Sequence, residues 1–331
     1  MHTISITSGK QFSAHGNETV LDAALRQGVA LEYSCRTGRC STCKGRLLTG
    51  ETVAMHEELG LTGAERDAGW ILTCVRQACS QAVIEIDDLG DVQLHAAKTM
   101  PCRIHSIERL APDVLKVLLR FPPTASFAYH PGQYVDVIGG NGVRRSYSVA
   151  NAPGVDKLLE LHVREVAGGL MSQYWFNQAR QNDLLRLSGP LGTFFLRGIE
   201  GRDLVFLATG TGIAPVKAML EALDSIEDMR QPRSVSCYWG GRHEQDVYWR
   251  PAHTPAHHRF EPVLSRATDR WTGRRGHVQD AFLSDKPKLE NCIVYACGSD
   301  AMIHSARERL QVAGLQPHTF HSDAFVCSAR A

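Results

Sequence analysis

The sequence predicts a multidomain chain: a small α+β unit, an antiparallel β-barrel and an α/β doubly wound sheet, in that order. Three observations predict it. Three cysteines crowd into "CRTGRCSTC" (Cys35 to Cys43), flanked by the strand-like runs "TISIT" and "AVIEI". Short alternating strands separated by Pro/Gly turns fill the middle of the chain. The last third alternates strands with helices, starting at "DLVFLATGTGIAPVKAMLEAL". A length of 331 residues also exceeds what one hydrophobic core organises well.

Composition narrows the function classes. Hydrophobic residues make up 43% and charged residues 21%, as in an ordinary globular protein. The formal net charge of +1 gives no whole-molecule field for nucleic acid or an anionic membrane, and neither is expected as a partner. The start, "MHTISITSGKQF", lacks the apolar core of a secretory signal, and no apolar run reaches the roughly 18 residues of a membrane span. A cytoplasmic chain, monomeric on its own, is expected. In a reducing compartment its ten cysteines serve as metal ligands, reactive thiols or small buried residues.

In the first unit "TISIT" alternates as a strand. "ETVLDAALRQGV" reads as a helix with Val20, Leu21, Ala24 and Leu25 on one face. "LEYSC" is expected to return as a strand into the cysteine loop, and "AVIEI" to close the unit. "DLGDVQLHAAKTM" is polar and weakly patterned, so the boundary is placed there. The expected domains are 1–95, 98–199 and 200–331.

Cys35, Cys40 and Cys43 follow C-x4-C-x2-C, and Cys74 stands about thirty residues on. Zinc ribbons usually offer two separated C-x2-C pairs. Three ligands in one loop with a distant fourth is the plant-type spacing for a 2Fe-2S cluster. Such a loop must wrap two irons, and Gly38, Ser41, Thr42 and Gly45 leave room for close backbone approach. Zinc or structural thiols stay open as the alternative. Cys79 is read as a bystander; Cys102, Cys237, Cys292 and Cys327 as structural thiols; His257-His258 as a solvated loop. Arg36, Arg39, Lys44 and Arg46 make the loop basic, although residues 1–90 carry 11 acids against 8 bases. That is either a solvated rim or a docking face for an acidic partner.

The middle strands are expected in "DVLKVLLRF", "GQYVDVI", "RRSYSVA", "LLELHVREV" and "LLRLSGPLG", with "GGLMSQYWFNQA" as one helix. The turn signals are Pro122-Pro123, Pro131-Gly132, Gly139-Gly140-Asn141-Gly142 and Pro153-Gly154. An Arg145-Ser146-Tyr147-Ser148 motif stands between Gly132-Gln133-Tyr134 and Gly168-Gly169-Leu170-Met171-Ser172. In the last third Gly210-Thr211-Gly212-Ile213-Ala214-Pro215 follows a buried strand, with proline suited to a first helical turn. Further strands are expected in "SVSCYWGG", "FEPVLS" and "NCIVYACG", the last leading into a helix at "AMIHSARERLQVAG". "ACGSDAMI" carries Cys297, Gly298 and Ser299.

These motifs carry a resemblance. Residues 1–90 resemble the plant-type ferredoxin domain, a β-grasp fold. The remainder is similar to the ferredoxin–NADP reductase superfamily. The resemblance implies that Arg145 pairs with the FAD pyrophosphate, Tyr147 packs on the isoalloxazine and Ser148 lies near the hydride-accepting nitrogen. It implies that His162 to Val166 runs beside the flavin, and that Gly169, Leu170, Met171 and Ser172 open a helix toward phosphate. Gly210, Thr211, Gly212 and Pro215 form the nicotinamide-cofactor turn. Gly298 lets backbone approach nicotinamide and Cys297 lies near the hydride. Here Ser299 replaces the family's proline, which puts fine geometry in doubt. Phe325 resembles the terminal aromatic that covers the flavin, or else is a core residue. Arg242 is a candidate for the cofactor's ribose side, while Glu244 and Asp246 disfavour a 2′-phosphate, so NADH is preferred.

The cofactors implied are a 2Fe-2S cluster, FAD and NADH. Hydride brings two electrons and the cluster takes one, so a flavin between them divides the pair. The chain resembles the CDP-6-deoxy-Δ3,4-glucoseen reductase family in "LEYSCRTGRC", "RRSYSVANAP", "WTGRRGHV" and "VYACGSDAMI". That family passes electrons to a pyridoxamine-phosphate dehydrase in 3,6-dideoxyhexose synthesis. The implied partner is an electron-accepting protein docking near the cluster loop. The alternatives are the reductase component of an aromatic-ring or alkene oxygenase, and an iron–sulfur sensor without turnover, which has no use for the Arg145 motif.

Overall fold

The computed structural model describes residues 1–140, 142–226, 230–252 and 257–325. Cys327 and Asn141 lie outside the described residues. The chain divides into two compact units, one of Met1–His95 and one of Ala96–Phe325.

The first unit holds β1 (His2–Ile6), β2 (Gln11–Ala14), α1 (Val20–Arg26), β3 (Lys44–Thr49), β4 (Thr52–Ala54), α2 (Gly63–Asp67), β5 (Trp70–Leu72), β6 (Arg76–Ala78) and β7 (Ala82–Glu85). Its five-stranded sheet runs β2-β1-β7-β3-β5, and β4 and β6 form a separate pair. Helix α1 is capped by Thr19, whose side chain accepts from the Asp22 amide, and it buries Val20, Leu21, Ala23 and Ala24. "LEYSC" differs from expectation. Only Leu31 bridges, to Asp88, and the chain then bends into the cysteine loop. Leu31 and Tyr33 are core residues, so the apolar run reflects burial rather than pairing.

The second unit opens with an all-antiparallel six-stranded sheet: β8 (Lys98–Ala111), β9 (Val114–Arg120), β10 (Tyr134–Ile138), β11 (Arg144–Ser148), β12 (Leu158–Arg164) and β13 (Leu184–Leu191). The order is β11-β10-β13-β8-β9-β12. A single bridge between Val149 and Leu161 links the two outer strands. Strand β8 begins inside the expected linker and contains Pro101. Its stretch Lys98–Cys102 has a neighbour only on the β13 side, so the missing proline N–H leaves no ladder bond unmade. The expected single helix after Gly169 is α3 (Leu170–Gln173) followed by a π turn, Tyr174–Gln178, which seats Trp175 in the core.

The rest is an all-parallel six-stranded sheet: β14 (Asp203–Thr209), α4 (Ile213–Leu223), β15 (Ser234–Gly241), β16 (His258–Leu264), β17 (Arg274–Arg275), α5 (Val278–Ser284), β18 (Cys292–Ser299), α6 (Asp300–Val312) and β19 (Phe320–Phe325). The order is β17-β16-β15-β14-β18-β19. Strands β14 and β18 lie side by side, so their carboxyl ends, Thr209 and Ser299, emerge together, one leading to the glycine turn and the other to α6. His258 is not in a solvated loop; it starts β16 and is half-buried. Cys102, Cys237 and Cys292 are buried free thiols, and Cys79 is exposed.

Candidate functional site

The cysteine loop is held by backbone geometry. Gly38 has φ 74°, and a Cβ there would lie 2.6 Å from the Glu57 carbonyl oxygen, so only glycine fits. Arg36 and Ser41 also take left-handed conformations, at φ 56° and 60°. The Gly60 amide donates to the Gly38 carbonyl at 2.8 Å, and the Ser41 hydroxyl donates to the Gly60 carbonyl. Thr73 ties the Cys74 segment to the loop: its amide and hydroxyl both donate to the Cys43 carbonyl, at 3.2 and 3.0 Å.

The four thiols form two neighbouring pairs, Cys35 with Cys40 and Cys43 with Cys74. Cys40 donates to Cys35, whose pKa falls to about 5, helped by the Thr37 amide. Cys40 and Cys43 are pushed up, by the neighbouring thiol and then by burial. The amides of Cys35 and Thr37 point at the sulfurs of Cys40 and Cys35, each at 3.4 Å. Among the described residues no three His, Cys, Asp or Glu side chains converge as a single ion requires. Two thiol pairs with amides aimed at sulfur fit one pair per iron of a two-iron cluster. The buried Thr42 hydroxyl lies beside the Cys40 sulfur and opposes the rise of its pKa, which fits a donor to a cluster ligand. The basic rim is less basic than its sequence: Arg36 pairs with Asp22, and Lys44 with Glu65 at 2.8 Å. Lys44, with the Thr62 amide, holds the Glu65 carboxyl at about 2.

On β11, Arg145 and Tyr147 share one face by strand alternation, while Ser146 hydrogen-bonds Asp136 on the other. Arg145 is exposed, donates to the Arg144 carbonyl, and among the described residues pairs with no carboxylate. Such a cation fits a phosphate ligand. Tyr147 is half-buried; burial raises its pKa to about 12 and its hydroxyl accepts from Trp175 Nε1 at 2.9 Å. Ser148 is buried at the end of β11. Gly169 caps α3, Leu170 is exposed, and Met171 and Ser172 are buried. Ser172 Oγ accepts from the Val166 amide at 2.9 Å and closes that turn.

His162 lies away from solvent at 5% exposure, with both ring nitrogens engaged. Nε2 meets Glu160 Oε1 at 2.8 Å and Nδ1 meets the Tyr248 hydroxyl at 3.2 Å. Sequence reasoning passed over its neighbours Glu160, Lys217, Trp239 and Tyr248. The one available signal was Lys217, a lone cation among the apolar residues of "IAPVKAML".

The glycine turn is wedged between strands. A Cβ at Gly212 would lie 2.6 Å from the Cys297 carbonyl carbon and 2.9 Å from Gly298 Cα. One at Gly298, at φ 135°, would lie 2.7 Å from the Thr209 carbonyl oxygen. Thr211 and Pro215 are buried, Pro215 in the first turn of α4. Ser299 caps α6 by accepting from the Met302 amide, and its own amide donates to Thr209 Oγ1 at 3.1 Å. Proline has no such donor, so this departure from the family pattern adds a bond. Cys297 is fully buried, and burial followed by the Asp323 charge pushes its thiol well up. Phe325, opposite Ser299, is 36% exposed. Arg242 is exposed, and Asp246 accepts from the amides of Arg242 and His243, at 2.6 and 3.0 Å.

Comparison with known proteins accounts for the three regions. The 2Fe-2S iron-sulfur cluster binding domain family matches residues 5–79, the Oxidoreductase FAD-binding domain family 101–196, and the Oxidoreductase NAD-binding domain family 206–308. The chain is 44% identical over 327 residues to the CDP-6-deoxy-L-threo-D-glycero-4-hexulose-3-dehydrase reductase of Yersinia pestis, covering 97% of each. It is 30% identical over 324 residues to a terephthalate 1,2-dioxygenase reductase component of Comamonas sp., covering 96% of this chain and 95% of that one. The crystal structure of an Amycolatopsis cytochrome P450 reductase matches with a TM-score of 0.77 and 30% identity, covering 98% of this chain and 99% of that one. The two thiol pairs, the Arg145–Ser148 motif and the wedged glycine turn thus lie on one chain whose relatives match it end to end. The chain belongs to the family of iron–sulfur flavoprotein reductases, electron-transfer oxidoreductases built from 2Fe-2S, FAD-binding and NAD-binding domains.

Proposed function

We propose that this reductase draws electrons from NADH and delivers them singly to a dehydrase acting on a CDP-linked deoxyhexulose. The observation that carries the acceptor is end-to-end likeness to a dehydrase reductase at 44% identity. The fold is read as a β-grasp unit over 1–95, an antiparallel barrel over 98–199 and a doubly wound nucleotide unit over 200–331. The strand orders and the Val149–Leu161 bridge support that reading.

Held here, a flavin would supply two-electron acceptance with one-electron release, and the cluster one-electron carriage. The chain's residues bind and orient. Cys35, Cys40, Cys43 and Cys74 hold the cluster. Arg145 neutralises the FAD pyrophosphate, Tyr147 packs on the ring, and Ser148 stands at the reacting edge. The Gly169–Ser172 turn lies at phosphate. Gly210, Thr211, Gly212, Pro215 and Gly298 let the nucleotide approach backbone closely, with Arg242 toward its ribose and Cys297 and Phe325 at the nicotinamide–flavin contact. The acceptor docks near the cluster loop, where Arg36 and Lys44 are already paired within the chain, so the docking field is weaker than four bare cations would make it.

Two assays test this. In Cys40→Ala, which loses a thiolate ligand, NADH should still reduce ferricyanide while cytochrome c reduction falls at least tenfold. Equal loss of both in a folded variant would show that the cluster is not downstream of the flavin. Adding the purified dehydrase with its CDP-sugar should draw NADH oxidation, and an oxygenase component should not. The reverse result would move the chain to the oxygenase reductases.

A further inference from the structure

A chain of buried and half-buried side chains crosses from the antiparallel sheet to the nucleotide turn, through hydrogen bonds and one aromatic contact. It starts at Glu160 on β12, whose Oε1 receives His162 Nε2 at 2.8 Å and the Lys217 ammonium at 3.2 Å. Burial raises the Glu160 pKa, but the His162 hydrogen bond and the Lys217 charge outweigh it, so this carboxylate stays ionised. Nε2 therefore carries the proton, and Nδ1 is left as an acceptor. Only the Tyr248 hydroxyl meets it among the described contacts, at 3.2 Å, so Tyr248 donates. The Tyr248 ring stands edge-on to Trp239, with centroids 5.0 Å apart at 85°. Trp239, 1% exposed, donates its indole N–H to the Gly210 carbonyl at 2.9 Å. Gly210 opens the glycine turn.

Lys217 closes the other side. Its ammonium, on α4 five residues past Gly212, also donates to the Ala150 carbonyl at 2.9 Å and to Glu221 at 2.6 Å. The second oxygen of Glu221 accepts from the Ala152 amide at 3.0 Å. Ala150 and Ala152 belong to the segment joining β11, which bears the flavin motif, to β12. Polar groups this deep are costly unless satisfied, and two weakly polar surfaces would pack as firmly without them. What a satisfied network adds is one relative placement of the two sides.

We infer that Glu160, His162, Tyr248 and Trp239 are positioning residues that fix the Gly210–Gly212 turn against the flavin sheet, and so set the distance over which hydride passes. The inference rests on the hydride-transfer reading above. A misplacement of about 1 Å in a reacting pair is enough to cost a hundredfold in rate.

Tyr248→Phe removes the hydroxyl and keeps the ring on Trp239; Trp239→Phe frees the Gly210 carbonyl. Hydrogen exchange of the 210–213 amides, measured on FAD- and cluster-loaded protein without nucleotide, should quicken severalfold in both. In stopped-flow work the limiting rate of flavin reduction by NADH should fall tenfold to a hundredfold. The isotope effect with deuterated NADH should rise, while the apparent Kd for NADH stays within about twofold. Tyr248→Phe combined with His162→Gln should lose no more than the worse single variant, because the links act in series. Unchanged exchange and rate in folded variants, or a loss confined to Kd, would overturn the positioning role alone. Wild-type protein whose flavin NADH does not reduce would overturn the functional reading and this inference with it.

Discussion

Gly212→Ala isolates the wedge between the glycine turn and β18. Gly212 has φ −61° and ψ −11°, a helical conformation that alanine adopts freely. Backbone entropy alone would then favour alanine by about 0.4–1 kcal/mol. Sterics reverse the sign. The new Cβ would sit 2.6 Å from the Cys297 carbonyl carbon and 2.9 Å from Gly298 Cα, both backbone atoms. Ordinary carbon contacts begin near ~3.5 Å, so the turn and the end of β18 must part by roughly 0.6–0.9 Å. Neither side yields easily, because β14 and β18 are paired up to Ala208 and Cys297. Overpacking of this kind costs about 1–3 kcal/mol, leaving a net loss near 1–2 kcal/mol and a Tm lower by roughly 2–8 °C. The same displacement should slow hydride transfer by about tenfold to a hundredfold. Flavin reduction followed at saturating NADH, with a melt followed by flavin release, reads both. FAD content and cluster absorbance should be unchanged. Gly63→Ala, where nothing lies within 4 Å of the added carbon, sets the baseline. A Gly212→Ala protein with wild-type Tm and reduction rate would refute the steric argument.

Three further outcomes are expected. Gly38→Ala combines a left-handed φ of 74° with a Cβ 2.6 Å from the Glu57 carbonyl, and should lose iron on gel filtration while keeping FAD; full iron content would refute it. Arg145→Ala should weaken FAD binding by about tenfold to a hundredfold, since a charge-assisted contact is worth roughly 1.5–3 kcal/mol, whereas Ser148→Ala should keep FAD and slow its reduction. Burial, then the charges of Arg197 and His318, hold the His321 pKa at about 3. The folded protein thus resists a proton that the unfolded chain takes up near pH ~6.5, and stability falls as pH drops below that value toward 3. The loss at pH 5 is roughly 2 kcal/mol. Urea midpoints at pH 7.5 and 5 should show it, and His321→Asn should flatten the difference; an equal slope in both proteins would reject the assignment.

The proposed cluster ligands stand out in the sequence because their chemistry is written in spacing: three thiols within nine residues and a fourth in an apolar run. The Arg145–Ser148 and glycine-turn motifs stand out for the same reason, since a turn or a strand end draws its residues from one short stretch. Periodicity alone misread "LEYSC", because an apolar run reports burial, and burial in a bend resembles burial in a strand. The serine at 299 read as a loss of precision, and only its amide bond to Thr209, ninety residues away, shows it as a gain. The family resemblance put His162 beside the flavin, but its partner Tyr248, 86 residues distant, leaves no trace in the sequence. Lys217 drew no reading from the sequence, and only the structure brings it to Glu160 and the Ala150 carbonyl. Cysteine spacing pointed to the 2Fe-2S cluster, and the resemblance carried by the other motifs pointed to FAD and the nicotinamide cofactor. Which buried polar groups meet across the sheets was decided only by the tertiary structure, because such pairs leave no periodic mark on either segment and are formed by packing alone.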